Sequence, residues 1–426
     1  MLEEILRGPL SYHTVAAPAL RPFDGLDEVL RDVAMAVRKE PANSDLHAAI
    51  GNGLVRQTRY LEAIEAYRAA VAVAPDNAPA RIALAELLFI AHDPAARSQL
   101  EHALQLQRVY PDPRPLDARL SVLLLLRDDA YSANAPLELI ADAERIALHK
   151  YYIGNDTSID LPRFDTVVCA FGYSRCAEPA IVACLRFIER TKARTVNDPS
   201  HLSGIARERL RETLHGVAGV SVPDIRIATA ADIAPHEPLL VRPLDTQAGI
   251  GLALVRDEED VHAHQVRWNA ERYHVAPFID YASRDGYYRK YRIILVEGIA
   301  YPYHLAISPR WMVHYRNAPM AENSWMRREE AQFLANPREV FHCWDALEDV
   351  ARAIDLDYVG IDCTLLSDGS MLIFEADTAM LVHDEDDAGV FAYKRVAVAK
   401  IRNALSAMIA RRADAGSFGG RTRAIR

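Results

Sequence analysis

The sequence predicts an α+β protein of several domains: an N-terminal α-helical repeat region followed by an α/β region built on hairpins. Three observations predict this. Pro41, Pro75 and Pro111 recur at spacings of 34 and 36 residues through a stretch of 3.6-residue apolar periodicity, the mark of stacked helical repeats. Residues 238–255, PLLVRPLDTQAGIGLALV, read as strand, basic residue, glycine turn and strand. Residues 357–380 read as a second hairpin, turning at Asp368-Gly369, a strong turn signal.

Composition bounds the rest. A chain of 426 residues, half hydrophobic and a quarter charged, holds two or three ordinary globular domains. The formal charge of −10 argues against nucleic-acid binding, which wants a basic surface. The start, MLEEILRGPL, has acids where a signal peptide needs lysine or arginine. No run reaches the roughly 18 apolar residues of a membrane span. Cys169, Cys176, Cys184, Cys343 and Cys363 show no paired spacing, so they read as buried free thiols in a reducing cytoplasm.

Residues 1–25 read as an irregular segment with Pro9, Pro18 and Pro22, and residues 26–150 as helical. Within them, residues 44–77 resemble a tetratricopeptide repeat. Ile50 and Gly51 fill its Leu-Gly pair, Tyr60 precedes the second helix, and Ala63, Tyr67 and Ala70 line that helix. Pro75 ends it, and His47 replaces the usual tryptophan. Small residues at 51, 63 and 70 let paired helices approach closely. Such a region would dock a peptide or protein, or serve as a brace. Residues 112–150 are expected to continue as helix.

Residues 151–235 form an expected α/β domain. Residues 164–172 are a buried strand ending at a glycine, and a helix follows. Asn197-Asp198-Pro199 turns into a helix carrying Arg207, Arg209 and Arg211. Residues 236–412 form the remaining domains. The glycine hairpin is followed by a charged helix whose His262 and His264 read as surface residues. The strand YHVAPFID comes next, then a strand pair turning at Glu297-Gly298. A polar loop spans residues 310–330, then an amphipathic helix, the hairpin at 357–380 and a helix at 393–411. Residues 413–426 read as a disordered tail.

Two places carry chemistry. Gly249, Ile250 and Gly251 form a turn beside Arg242. Glycine has no Cβ, so backbone N–H groups there can approach a polyphosphate beside a fixed positive charge. The dinucleotide fingerprint fails, because Leu254 stands where a third glycine is needed, and no Gly-x-x-x-x-Gly-Lys stretch exists. On the second hairpin, Glu375 and Asp377 share a sheet face, and the turn folds Asp362 back beside them. Three carboxylates among apolar residues repel one another unless a cation sits between them, and oxygen ligands suit magnesium.

In this order, the strand–helix units, basic segment, glycine hairpin, adenine-type strand and closing Asp…Glu-x-Asp hairpin resemble the ATP-grasp superfamily over residues 164–408. The nearest flavour is the glutathione synthetase and ribosomal-protein glutamate ligase branch. The resemblance implies ATP and Mg2+ as cofactors. It implies that Arg209 and Arg242 contact phosphates, where the family usually has lysines. Pro277, Phe278 and Ile279 would hold adenine through the Pro277 carbonyl and the Ile279 N–H, and Asp280 the ribose. Asp362, Glu375 and Asp377 would hold the metal, with Asp377 where the family usually has asparagine. Arg292 and Arg316 are the candidates for stabilising an oxyanion.

The implied reaction joins an acid and an amine through an acyl phosphate, with a peptide or protein among the partners; an ester is the variant product. The competing reading is a repeat adaptor whose grasp domain binds nucleotide without turnover. The expected setting is cytoplasmic, with no membrane or nucleic-acid partner, and a homodimer is compatible with it.

Overall fold

The computed structural model describes residues 26–57, 59–112, 119–129, 131–154, 159–246, 249–315, 317–383 and 389–414. The expected irregular segment at 1–25 and residues 415–426 of the expected tail lie outside the described residues. The chain divides into two compact units. One comprises Met1–Leu139 and Ala143–Asp165, the other Ile140–Asp142 and Thr166–Arg426.

The first unit opens with helices α1 (Leu26–Lys39), α2 (Ser44–Arg56), α3 (Tyr60–Val73), α4 (Ala78–Ile90) and α5 (Ala95–Leu106). Asn43 caps α2 by accepting from Leu46 N, and Asn77 caps α4 by accepting from Ala80 N. Each satisfies a backbone donor that the first helical turn leaves over. The two caps stand one 34-residue period apart. Helices α2 and α3 close on each other where the sequence is smallest. Tyr67 is fully buried, and its ring lies so near Gly51 that a Cβ there would stand 2.5 Å from Tyr67 Cε1. Its hydroxyl donates to Asn52 Oδ1 at 2.7 Å. Ser44 Oγ donates to Ala70 O at 2.8 Å and accepts from Asn77 Nδ2 at 2.8 Å, tying one period to the next.

The helical expectation for residues 112–150 fails. Strands β2 (Leu120–Leu126) and β3 (Ile146–Tyr152) stand there instead, after β1 (Val109–Tyr110), with β3 antiparallel to β1 and parallel to β2. The cause is visible in β2. Its run SVLLLL is buried throughout, and an unbroken apolar run has no period to separate strand from helix. Leucine is also a good helix former, so local preference pointed the wrong way.

In the second unit, β4 (Thr166–Cys169) leads to α6 (Glu178–Thr191) and the parallel strand β5 (Thr195–Val196). The segment after Asn197 is not one helix. It is a 3-10 turn over Pro199–Ile205, then a short α7 (Leu210–Thr213). After β6 (Val220–Ser221) comes a small sheet of β7 (Arg226–Thr229), β8 (Leu239–Pro243), β9 (Ala253–Val255) and β10 (Arg272–Pro277), in the order β7-β10-β8-β9. Helix α8 (Glu258–Trp268) lies between β9 and β10 in the chain. Val241, Val255, Val261, Tyr273 and Val275 form the core of this part.

The larger sheet joins β11 (Tyr288–Val296), β12 (Ile299–Ser308), β13 (Tyr358–Leu365) and β14 (Met371–Asp377) in the order β12-β11-β13-β14-β6. Helices α9 (Ser324–Ala335), α11 (Ala346–Ile354) and α12 (Arg395–Asp414) pack on β11 and β12, and α10 (Pro337–Val340) is a single turn. Glu297 and Gly298 both take positive φ in the β11–β12 turn, as a tight two-residue hairpin requires. The polar stretch 310–330 is a loop only in its first part. From Ser324 it is helix, because Met326, Phe333 and Leu334 give α9 a buried face.

Among the described residues no helix is long and apolar enough to cross a membrane. Among the described residues no disulfide bond forms. Cys169, Cys184 and Cys363 are buried, but Cys176 is exposed, against the expectation that all are buried.

Candidate functional site

The hairpin β13–β14 sets Asp362 opposite Glu375 and Gly360 opposite Asp377. Alternate residues share a face, so the three carboxylates do point the same way. On the other side, β11 sets Arg292 opposite Asp362. Lys290, two residues earlier, shares that face. Arg292 Nε donates to Asp362 Oδ1 at 2.7 Å and Nη2 to Oδ2 at 3.0 Å, while Lys290 Nζ reaches Oδ2 at 2.8 Å. Arg292 Nη1 faces Leu381 O at 3.4 Å. Burial alone would raise the Asp362 carboxyl, but Arg292 and Lys290 hold it far below the carboxylate range.

Glu375 is paired with Arg207. Burial works to raise its pKa, and Arg207, Arg242 and Lys290 together hold it below its ordinary value. Asp377 differs. Burial pushes its carboxyl up to about 6, and Glu375 adds to this, while the hydrogen bond from Ala379 N, at 2.9 Å, opposes it. The loop after β4 closes on it. A Cβ at Gly172 would stand 2.3 Å from Asp377 Oδ1, so a larger residue there would have to displace that carboxylate. Thr378 Oγ1 donates to Phe171 O at 2.7 Å and fixes the contact.

Arg242, at the end of β8, is buried. It does not pair with Asp245. Its Nε donates to Thr246 Oγ1 at 2.9 Å and its Nη2 to Thr246 O at 2.5 Å, so it anchors the start of the glycine turn. Burial and the Arg207 guanidinium bring its pKa down to about 9, still a cation at neutral pH. Gly249 and Gly251 have φ of 76° and 69°, the left-handed region glycine enters without cost. Ile250 lies between them; residues 247–248 are outside the described residues. His264, expected at the surface, is buried, and its Nε2 meets Gly251 O at 2.7 Å, holding the turn to α8. His262 is exposed as expected.

Opposite Arg242 on β10 stands His274, whose Nε2 meets Glu208 Oε2 at 3.2 Å. That hydrogen bond, helped by Arg175, draws Glu208 down to about 2. Pro277 ends β10 opposite Leu239. Phe278 N donates to Pro238 O at 2.9 Å, and its ring meets Trp311 edge-on at 5.7 Å. Ile279 is half-buried beyond the strand, and the exposed Asp280 accepts from Ala282 N at 3.1 Å.

Not every expected site residue stands at this charge cluster. Arg209 is exposed, and Arg207 takes the place against Glu375. The irregular turn before α7 explains this, since helical spacing cannot say which arginine faces inward. Arg292, the other oxyanion candidate, donates to Asp362 and Leu381 O. Arg316 lies outside the described residues.

Lys290 was missed. Its signal was the Lys-x-Arg alternation in YRKYR, with Tyr291 buried on the opposite face. Two histidines were also missed. His304 stands opposite Arg292. Burial, Arg292 and Lys394 push its pKa well down, and its Nδ1 has no hydrogen-bond partner among the described residues. His314 is pushed down to about 4 by burial and by Lys290.

The three carboxylates do not fit a three-ligand metal centre. Both Asp362 oxygens are bonded by cations, and among the described residues no group of three His, Cys, Asp or Glu is placed to hold a metal ion. The repulsion argument therefore has another answer, since Lys290, Arg292 and Arg207 supply the positive charge. Glu375 and Asp377 remain suited to magnesium when phosphates fill its other positions.

No family model and no curated protein matches the chain. Among solved structures, the chain overlaps a D-alanine–D-alanine ligase from Coxiella burnetii with a TM-score of 0.44 and 11% identity, over 70% of this chain and 96% of that one. A D-alanine–D-alanine ligase from Bacillus anthracis complexed with ATP gives 0.41 and 11%, over 70% and 100%. A RimK domain ATP-grasp protein from Sphaerobacter thermophilus gives 0.38 and 13%, over 66% and 99%. Overlaps this loose do not establish a fold family.

Proposed function

We propose that the chain is an ATP-dependent carboxylate–amine ligase of the ATP-grasp type, working through an acyl phosphate. The observation that carries this reading is the charge cluster. Four cations, Arg207, Arg242, Lys290 and Arg292, meet three carboxylates, one of them held toward protonation. The excess is positive and sits beside a turn with bare glycine backbone, which favours a polyphosphate.

The reaction needs no protein nucleophile. A substrate carboxylate oxygen takes the terminal phosphoryl group of ATP. One O–P bond forms, the bond to the ADP oxygen breaks, and ADP leaves. An amine nitrogen then attacks the carbonyl carbon, phosphate leaves and the amine gives up a proton; a hydroxyl in its place would give an ester. Arg207 and Arg242 would hold phosphate oxygens. Lys290 and Arg292 fix Asp362 and keep this face charged. Magnesium would neutralise phosphate oxygens, with Glu375 and Asp377 as its carboxylate ligands. The helical unit would recognise a peptide, protein or amino-acid-like substrate in the manner of tetratricopeptide repeats, a reading supported by its paired helices and repeated asparagine caps.

The second reading, nucleotide binding without turnover, is favoured by one fact: Asp362 is committed to Lys290 and Arg292. Release of ADP from MgATP against a panel of amino acids, dicarboxylates and short peptides separates the two. Acceptor-dependent ADP release supports the ligase. Nucleotide binding without it in any pairing supports the adaptor, and no binding at all sinks both.

A further inference from the structure

His314 stands in the loop between β12 and α9, and that loop is tied down by Asn317. Asn317 Oδ1 accepts from His314 N at 2.9 Å, its Nδ2 donates to Met312 O at 3.0 Å, and its N–H donates to His314 O at 3.0 Å. The imidazole is thereby held against the glycine turn. A Cβ on Gly249 would stand 2.3 Å from His314 Nε2, so the ring occupies space that only a glycine leaves open. The charged groups facing it come from four strands: Arg242 of β8, Lys290 of β11, Asp362 of β13 and Glu375 of β14. Neither ring nitrogen has a hydrogen-bond partner among the described residues.

If this turn covers a polyphosphate, a ring packed against Gly249 lines the same phosphate pocket. A neutral imidazole brings one N–H donor and adds no charge to a site that already holds four cations. Building on the nucleotide reading above, we propose that His314 recognises the terminal phosphate of ATP, its ring N–H donating to a γ-phosphate oxygen beneath Gly249. This would let the site distinguish ATP from ADP, and would place a donor on the phosphoryl group as it is transferred.

The test needs no knowledge of the acceptor. The affinities of the full chain for the non-hydrolysable analogue AMPPNP and for ADP, both with magnesium, are measured for wild type, His314→Ala and His314→Gln. Losing one hydrogen bond to a charged oxygen should weaken AMPPNP binding about tenfold or more in His314→Ala, with ADP affinity changed less than about twofold. His314→Gln, which keeps an N–H donor, should recover much of the loss. A merely structural role would move both nucleotides together, so an equal change for both, or none for either, overturns the proposal. A wild-type chain that binds neither nucleotide overturns the nucleotide reading and this inference with it.

Discussion

The carboxyl of Asp377 is held at about 6 against an ordinary 3.8, chiefly by burial, with Gly172 closed against it. The folded pKa lies above the unfolded one, so the folded state binds the proton more tightly. The stability this gives is present below about pH 4 and is lost as pH rises through 6. At neutral pH the buried charge is a net cost. Asp377→Asn removes the charge and keeps an oxygen for Ala379 N. It is expected to stabilise the chain by roughly 1–3 kcal/mol at pH 7, with the gain shrinking toward zero near pH 4. Urea unfolding at both pH values checks this, and a gain independent of pH would show that the carboxylate charge is not the cause. Asp362 is the opposite case. Its removal strands Lys290 and Arg292 in a buried site, a loss of about 3–5 kcal/mol. An inactive Asp362→Ala would therefore say little about chemistry unless its unfolding midpoint were unchanged.

Two elements answer to single side chains. In the α2–α3 pair, Gly51 faces a Tyr67 ring that is fully buried and pinned by its bond to Asn52. The ring cannot swing aside cheaply, so Gly51→Ala should destabilise the chain by about 1–3 kcal/mol. Thermal unfolding of the full chain measures it, and an unchanged midpoint would mean the pair is looser than its geometry. In the glycine hairpin, Arg242 makes two bonds to Thr246 that lysine cannot reproduce as a fork. Arg242→Lys should weaken MgATP binding severalfold, and Arg242→Ala by about tenfold or more. Equal affinity in all three proteins would take the hairpin out of the site. These elements were the legible ones. Glycine–aromatic spacing, the Asp-Gly turn and the carboxylates two apart on β14 are local signals, and local signals survive folding. The run SVLLLL had no period to read, and Arg207 could not be told from Arg209 because the turn before α7 follows no helical spacing.

At the scale of the molecule, the site gathers residues from 172 to 377 of the second unit onto one face of a sheet and its neighbouring hairpin. Sequence order supplied the hairpins, but partnership is a long-range property. That Lys290 and Arg292 would neutralise Asp362 follows from the β11–β13 register, which nothing local encodes. His314 was hidden for the same reason, as a loop residue whose meaning comes from the glycine it packs against. The central claim is that Arg207 and Arg242, set among these carboxylates, form a polyphosphate site. Calorimetric titration of MgATP into the full chain, wild type beside Arg207→Ala, tests it most directly. Saturable one-site binding is predicted in the wild type, weakened about tenfold or more in Arg207→Ala. No saturable binding in the wild type, or the same affinity in both, would contradict the account.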